Sequence, residues 1–390
     1  MSWPELTPTG RDFKLSGYTW GRRQQPLAAM LLVSRTSTRK AEPDESDPFP
    51  KDRSVVLQEA TAFAAGKITD HVGAFTEVEY EAIEDRTVLG SVDLRYANRV
   101  GDGRQGVVYG VSLHNRPTLQ DVFNTVPNWS FPFESSEVAL APNAATALES
   151  GYKVAGLTGY LLWRKTIYAE VGAYRSADKL FSALRAGIER DEATALKGYN
   201  PYWRLALQHE WGGRHSAMVG AYGLTIDRFP DTMDPSGPTD RFKDLALDAQ
   251  YQYIGFSDHR VSLQMNYIRE KQYWNATAQT NAIDRLASLR AKATYYYRNK
   301  YGINLGYFSS RGDADEILYN NGEPIAGSAN GSPDSSGYIV ELNYLPLRDI
   351  RLVAQYTAYT KFNGARTNYD GFGRNASDNN TLFLLAWLMF

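Results

Sequence analysis

The dominant signal along this chain is a strict alternation of oily and polar side chains, repeated many times. From Asp244 to Tyr253, residues Leu245, Leu247, Ala249, Tyr251 and Tyr253 share one face of an extended strand, and Asp244, Ala246, Asp248, Gln250 and Gln252 share the other. The same dyad sets Val92, Leu94 and Tyr96 against Ser91, Asp93 and Arg95, and Val107, Tyr109, Val111 and Leu113 against Gly110, Ser112 and His114. It returns as Val261, Leu263, Met265 and Tyr267 against Ser262, Gln264 and Asn266, and as Leu289, Ala291, Ala293 and Tyr295 against Ser288, Arg290, Lys292 and Thr294. One face is oily and the other wet, as in a soluble sandwich or a membrane barrel.

Connection lengths separate the two. Strands placed at 26–36, 54–66, 71–81, 87–97, 105–115, 152–163, 167–175, 201–211, 216–227, 242–254, 259–270, 282–298, 301–309, 337–345, 350–361 and 379–390 leave joins that alternate in length. Short joins fall at 67–70, 98–104, 164–165, 212–215, 255–258, 299–300 and 346–349, and long ones at 37–53, 116–151, 176–200, 228–241, 311–336 and 362–378. Short periplasmic turns opposite long external loops are the asymmetry of an outer-membrane barrel. The predicted fold is therefore all-β: a transmembrane antiparallel up-and-down β-barrel of about sixteen strands over residues 25–390, with a short N-terminal plug segment at 1–24. The final TLFLLAWLMF, ending on Phe390, resembles the C-terminal signal by which such barrels are recognised for assembly. Two stretches fit less well. Val55 to Ala65 alternates weakly but is read as a strand, and Ala177 to Lys197 puts Leu180, Phe181, Leu184 and Ile188 on one helical face, which predicts a short helix in an external loop.

Composition sharpens this picture. Charged residues make up 22% of 390, and no run approaches the roughly 18 apolar residues of a spanning helix, so helical membrane proteins are excluded. The 26 Tyr and 8 Trp suit interfacial girdles. A net charge of −2 with scattered basic residues offers no footprint for nucleic acid. With no Cys, disulfides, zinc thiolates and thioether-linked haem are ruled out within these residues. Met1 leads into Trp3 and Pro4 without a basic start or apolar run, so for an exported protein it reads as a truncated start.

No catalytic motif stands out, and no catalytic or metal-binding residue is assigned. Gly101, Gly103 and Gly106 spell G-x-G-x-x-G, but between two strands with no helix to hold a pyrophosphate, so they form a turn. His71, His114, His209, His215 and His259 lack ligand spacing and are expected to be solvated or in the girdle, and Asp313, Asp315 and Glu316 read as a solvated acidic loop. No nucleophile with a paired base is visible, which gives a hydrolase no support.

Inward charges carry more information. Glu77, Glu79, Asp93, Arg95, Arg204, Glu210, Asp244, Asp248, Arg290, Lys292, Glu341 and Arg351 all fall on polar faces and predict a hydrated lumen of mixed sign. The 116–151 loop contains Asp121, Asn124, Trp129 and Glu134, candidates for a pore constriction if the loop folds inward; the alternative is an outer lid. The N-terminal Trp3, Leu6, Phe13 and Leu15 need burial outside the sheet, and the inward face of the last strand, Phe383, Leu385, Trp387 and Met389, offers it at the periplasmic mouth.

Three runs carry a resemblance: WPELTPTGRDFKLSGY (Trp3 to Tyr18), LQEATAFAAGKITDHVGAF (Leu57 to Phe75) and NRPTLQDVFNTVPNWSFPFESS (Asn115 to Ser136). They resemble the outer-membrane cytochrome-porins, in which a small c-type haem segment precedes a porin barrel and whose members include oxidisers of extracellular iron. The resemblance implies electron transfer across the outer membrane, a haem attached through Cys-x-x-Cys-His just ahead of the counterpart of Trp3, and a periplasmic cytochrome as partner. These residues contain no such motif, so a c-type haem would belong to an upstream segment. The alternatives are a haem-free diffusion porin for small solutes and a barrel that sheathes a separate cytochrome. Outer-membrane lipid, with small solutes or extracellular iron, completes the expected set of partners.

Overall fold

A computed structural model describes residues 6–19, 27–41, 51–101, 105–255, 258–320, 322 and 324–390. Within them, sixteen strands form one sheet: β1 Leu27–Thr38, β2 Val55–Lys67, β3 Val72–Glu81, β4 Arg86–Val100, β5 Val107–His114, β6 Val154–Trp163, β7 Ile167–Ser176, β8 Asn200–Trp211, β9 His215–Arg228, β10 Asp240–Ile254, β11 His259–Tyr273, β12 Ile283–Tyr297, β13 Tyr301–Gly312, β14 Ser335–Leu347, β15 Ile350–Lys361 and β16 Thr381–Met389. Every strand pairs with its sequence neighbours, and β1 closes on β16 from Met30↔Met389 to Thr38↔Thr381. Closure leaves no strand edge whose backbone groups would lie unpaired in hydrocarbon.

The dyad sets which side faces where. Leu205, Leu247 and Leu342 are 50–54% exposed on the outer surface, while their strand neighbours Arg204, Asp248 and Glu341 are buried inside. At the short-turn rim the aromatic girdle includes Trp211, stacked 5.2 Å from His215, and Tyr301, stacked 5.4 Å from Tyr344. His71, His209 and His259 pack beside girdle rings as well, but His114 does not: it is fully buried in the lumen, hydrogen-bonded to Ser112 at 3.0 Å and Tyr174 at 3.2 Å. The chain departs from the expected outer role there because position 114 lies on the inward register of β5.

Two local readings are resolved by geometry. The weak alternation of β2 comes from a bulge: Leu32 pairs with Glu59 and Val33 with Leu57, so Gln58 is the extra residue. Gln58 turns inward, accepting from Ser34 at 3.1 Å and donating to the Ser135 carbonyl at 3.0 Å. The helix expected over 177–197 is absent. Only a short 3-10 segment, Lys179–Arg185, forms, Leu180 is 86% exposed, and Gly187 ends the run at φ +84°. A left-handed glycine stops the helix where the chain docks on β4, the Ala186 carbonyl accepting from Leu89 N at 2.8 Å. Asp315 is structural, capping α2 (Glu316–Tyr319) by accepting from Ile317 and Leu318. The expected domain boundary at 24/25 and Gly103 lie outside the described residues.

Candidate functional site

The chain between β5 and β6 enters the barrel and crosses it. A loop inside a barrel must give every buried peptide group a partner, and here the wall supplies them. The Gln120 carbonyl accepts from Arg95 Nη2 at 2.8 Å, and the Thr125 carbonyl accepts from Asn266 Nδ2 at 3.0 Å. On the far side the Glu134 carbonyl accepts from Gln355 Nε2 at 3.0 Å. Returning, Ala147 N donates to Glu270 at 2.6 Å and Leu148 N to Asp244 at 2.8 Å. The loop is thus an inward crossing, and the outer-lid alternative does not hold.

This changes the meaning of the lumen charges. They point inward as the sequence predicts, yet several are sealed under the loop instead of bathing in water. Arg204 lies between Asp121 at 3.2 Å and Asp248 at 2.6 Å, with all three side chains fully buried. Asp93 pairs with Arg95, both buried, and Glu341 pairs with Arg351 at 2.9 Å. Arg290 meets Glu149 of the loop at 3.0 Å, and Lys292 sits 4.6 Å from the Phe133 ring. Glu79 faces Arg116 at 3.6 Å with Glu77 on the same inward face of β3, and Asp244 lies directly across the ladder from Glu270.

Of the constriction candidates, Asp121, Asn124 and Trp129 come together near the middle of the lumen. Asp121 accepts from Phe123 N at 3.3 Å and Thr125 N at 3.1 Å, which folds the loop tip, and Asn124 takes the left-handed turn at φ 53°. Trp129 Nε1 donates to the Leu119 carbonyl at 3.0 Å. Glu134 lies apart, toward β2 and β15; burial, then Glu59 and Glu137, pushes its carboxyl well up.

The N-terminal residues form helix α1 (Pro8–Leu15), started by Pro8 and by Thr7, whose hydroxyl accepts from Gly10 N at 3.2 Å. Its buried face engages the loop and the β4–β9 wall. Lys14 Nζ donates to the Leu119 carbonyl at 2.8 Å and to Asn124 at 3.3 Å, and lies 4.4 Å from the Trp129 ring. Arg11 pairs with Glu210, and Tyr18 donates to Asp93 at 2.7 Å. Leu15 packs among Val122, Phe123, Tyr160 and Tyr168. Gly73 on β3 makes room for the helix end, since a Cβ there would come within 2.1 Å of the Gly17 carbonyl. Burial, then the Arg95 charge, lowers the Lys14 ammonium to about 7.

Trp387 was expected to hold this segment, but it does not. Trp387 clusters with Met30, Leu32, Phe383 and Leu385, and between it and the helix lies a cavity of about 310 Å³. The cavity walls include Leu6, Phe13, Phe63, Trp129, Trp387 and Met389. Helix α1 leans away from Trp387 because Arg11 finds its acceptor on β8 and Lys14 finds its acceptors on the crossing loop. Lys14 edges this apolar space, and the Trp387 indole N–H is buried without a partner among the described residues. Trp3 lies outside the described residues. Sequence reasoning missed Lys14, Arg11, Glu149 and Glu270; for Arg11 and Lys14, the Thr7-Pro8 start followed by cations three apart was the available signal.

Among solved structures, the chain is similar to a Salmonella typhi OmpF complexed with daunomycin, at 13% identity over 93% of this chain and 97% of that one, with a TM-score of 0.52. It is also similar to the outer membrane channel DcaP of Acinetobacter baumannii, at 11% identity over 95% and 99%, with a TM-score of 0.53. No protein-family model and no curated protein matches the sequence. The closed ladder, the exposed apolar belt and this likeness of fold define a porin-type β-barrel of the bacterial outer membrane.

Proposed function

We propose that this barrel is the porin part of an outer-membrane electron conduit, housing a redox group at its periplasmic end instead of holding an open solute pore. The observation that carries the reading is the apolar cavity beside helix α1, in a lumen crossed by the loop. Its volume is at the low end of ligand pockets, about 300–1,000 Å³.

The lining suits a tetrapyrrole. Phe13, Phe63 and Trp129 offer flat apolar surfaces, and Lys14 offers a donor for acidic substituents. Neither cysteine nor histidine lines the cavity, so covalent attachment and an imidazole ligand would come from a cytochrome segment or a separate periplasmic cytochrome. When bound, a haem supplies one-electron chemistry. The chain's own part is to wall the group from lipid and to keep solutes from bypassing it. This reading assigns no catalytic residue.

The test is to purify the protein from the outer membrane of the organism that encodes it and record its absorbance spectrum. A haem band that is reduced by ferrous iron supports the proposal. A colourless preparation that conducts solutes freely would replace it with a diffusion porin.

A further inference from the structure

The loop meets the wall in two ways. Toward β6–β9 the contact is built mainly on apolar groups: Val122, Phe123 and Leu15 pack on Tyr160, Leu162, Ala206 and Met218. Toward the periplasmic half of β10 and β11 it is not. There the inward residues are Asp248, Gln250 and Gln252, paired across the ladder with Asn266, Gln264 and Ser262. Asp248 Oδ1, Gln250 Nε2, Gln252 Oε1, Ser262 Oγ and Gln264 Nε2 are buried without a partner among the described residues, as is Gln208 Oε1 on neighbouring β8.

So many orphaned polar atoms on one patch point to water, the usual partner of buried polar groups that protein leaves unsatisfied. Space for it exists at both ends. A vestibule of about 370 Å³ opens at the periplasmic rim between Thr7, Glu210, His215, Ser216 and Gln252. Further in, a cavity of about 20 Å³ lies among Thr125, Gln264, Asn266, Arg290 and Lys292, room for one water. Arg290, 40% exposed, reaches solvent, while Ala246 opposite Ile268 closes the direct route up β10 and β11.

We propose that a water-filled seam, one molecule wide at its narrowest, runs from the periplasmic vestibule along β10–β11 to Arg290 and passes water and protons but no larger solute. It is independent of whether the apolar cavity holds a redox group. Between Glu210 at the vestibule and Asp248, Arg290 and Lys292 at its inner end, the seam is lined by neutral amides and hydroxyls, which exchange hydrogen bonds with water without binding it as tightly as charges would.

These 390 residues contain no cysteine, which makes the test clean. Single variants Ser262→Cys and Gln264→Cys, with Ala206→Cys and Ile268→Cys as dry controls, are reconstituted in liposomes and titrated with Ag⁺ and with a bulky methanethiosulfonate. Ser262→Cys is nearly isosteric, so the readout survives if another variant misfolds. Silver should modify the cysteines at 262 and 264 at least tenfold faster than those at 206 and 268, and the bulky reagent should leave 264 untouched. Silver rates at 262 and 264 no faster than at 206 and 268 would show no seam along β10–β11, and equal rates for both reagents at 264 would mean a wide pore; either overturns the proposal. A Gln250→Leu/Gln264→Leu variant should slow dissipation of a pH gradient severalfold, and an unchanged rate would refute proton passage.

Discussion

Arg204 is the side chain through which the crossing loop is most firmly fixed to the wall. It bridges Asp121 of the loop and Asp248 of β10, and all three side chains are fully buried. Its guanidinium also lies 5.6 Å from the Phe123 ring and 5.1 Å from the Tyr222 ring. Arg204→Met keeps much of the volume but leaves two carboxylates buried without their cation, a loss of about 3–5 kcal/mol. Undocking the loop rehydrates Asp121, so the penalty falls on the docked state. At about 1.4 kcal/mol per decade, the undocked population should rise roughly 100-fold to 1,000-fold or more.

Single-channel recording in a planar bilayer reads this directly, because a loop that leaves the lumen opens a wide path. The parent should show rare large openings and the Arg204→Met protein frequent ones. Adding Asp121→Asn and Asp248→Asn, which removes the stranded charges, should return openings toward the parental frequency. If Arg204→Met opens no more often than the parent, the ion triad does not hold the loop and the reasoning fails.

Other outcomes follow from the same geometry. Leu247, 53% exposed at the centre of β10, faces lipid, so Leu247→Arg should destabilise the barrel by about 2–4 kcal/mol in vesicle-based denaturant unfolding. Lys14 drops from 10.5 to about 7 on burial, so between those values the docked helix holds fewer protons than the free one. Docking therefore strengthens as pH rises through that window and is weakest below it; protease cleavage within residues 6–19 should fall from pH 6 to pH 10 in the parent and lose that trend in Lys14→Met. Gly73→Val places side-chain atoms where the Gly17 carbonyl sits, and should expose the helix to protease at every pH while leaving the barrel folded by circular dichroism.

The barrel was legible because its information is local: each strand's inside and outside are written two residues apart, and the turn asymmetry repeats around the ring. Where a single extra residue, Gln58, breaks the period, the pattern blurred although the strand persisted. The helical stripe at 177–197 misled because Leu180, Leu184 and Ile188 satisfy a helix in isolation, whereas the left-handed Gly187 and the docking of this backbone on β4, where the Ala186 carbonyl accepts from Leu89 N, decide against it. The inward charges were legible as a face but not as a site. Whether Asp93, Arg204 or Asp248 meets water or a loop depends on partners more than a hundred residues apart in some cases, such as Thr125 with Asp248. Periodicity has no access to such pairs. For the same reason the sequence pointed to Trp387 as the partner of the N-terminal segment, when the acceptor for Arg11 lies on β8 and those for Lys14 lie on the crossing loop.

The account rests on a lumen that is filled, and liposome swelling in an isotonic pentose solution tests that most directly. Liposomes carrying the intact protein should swell no faster than protein-free ones, while those carrying a variant with residues 117–150 replaced by a short linker should swell rapidly. Swelling that is equally fast with the intact chain would show an open solute pore and contradict the account.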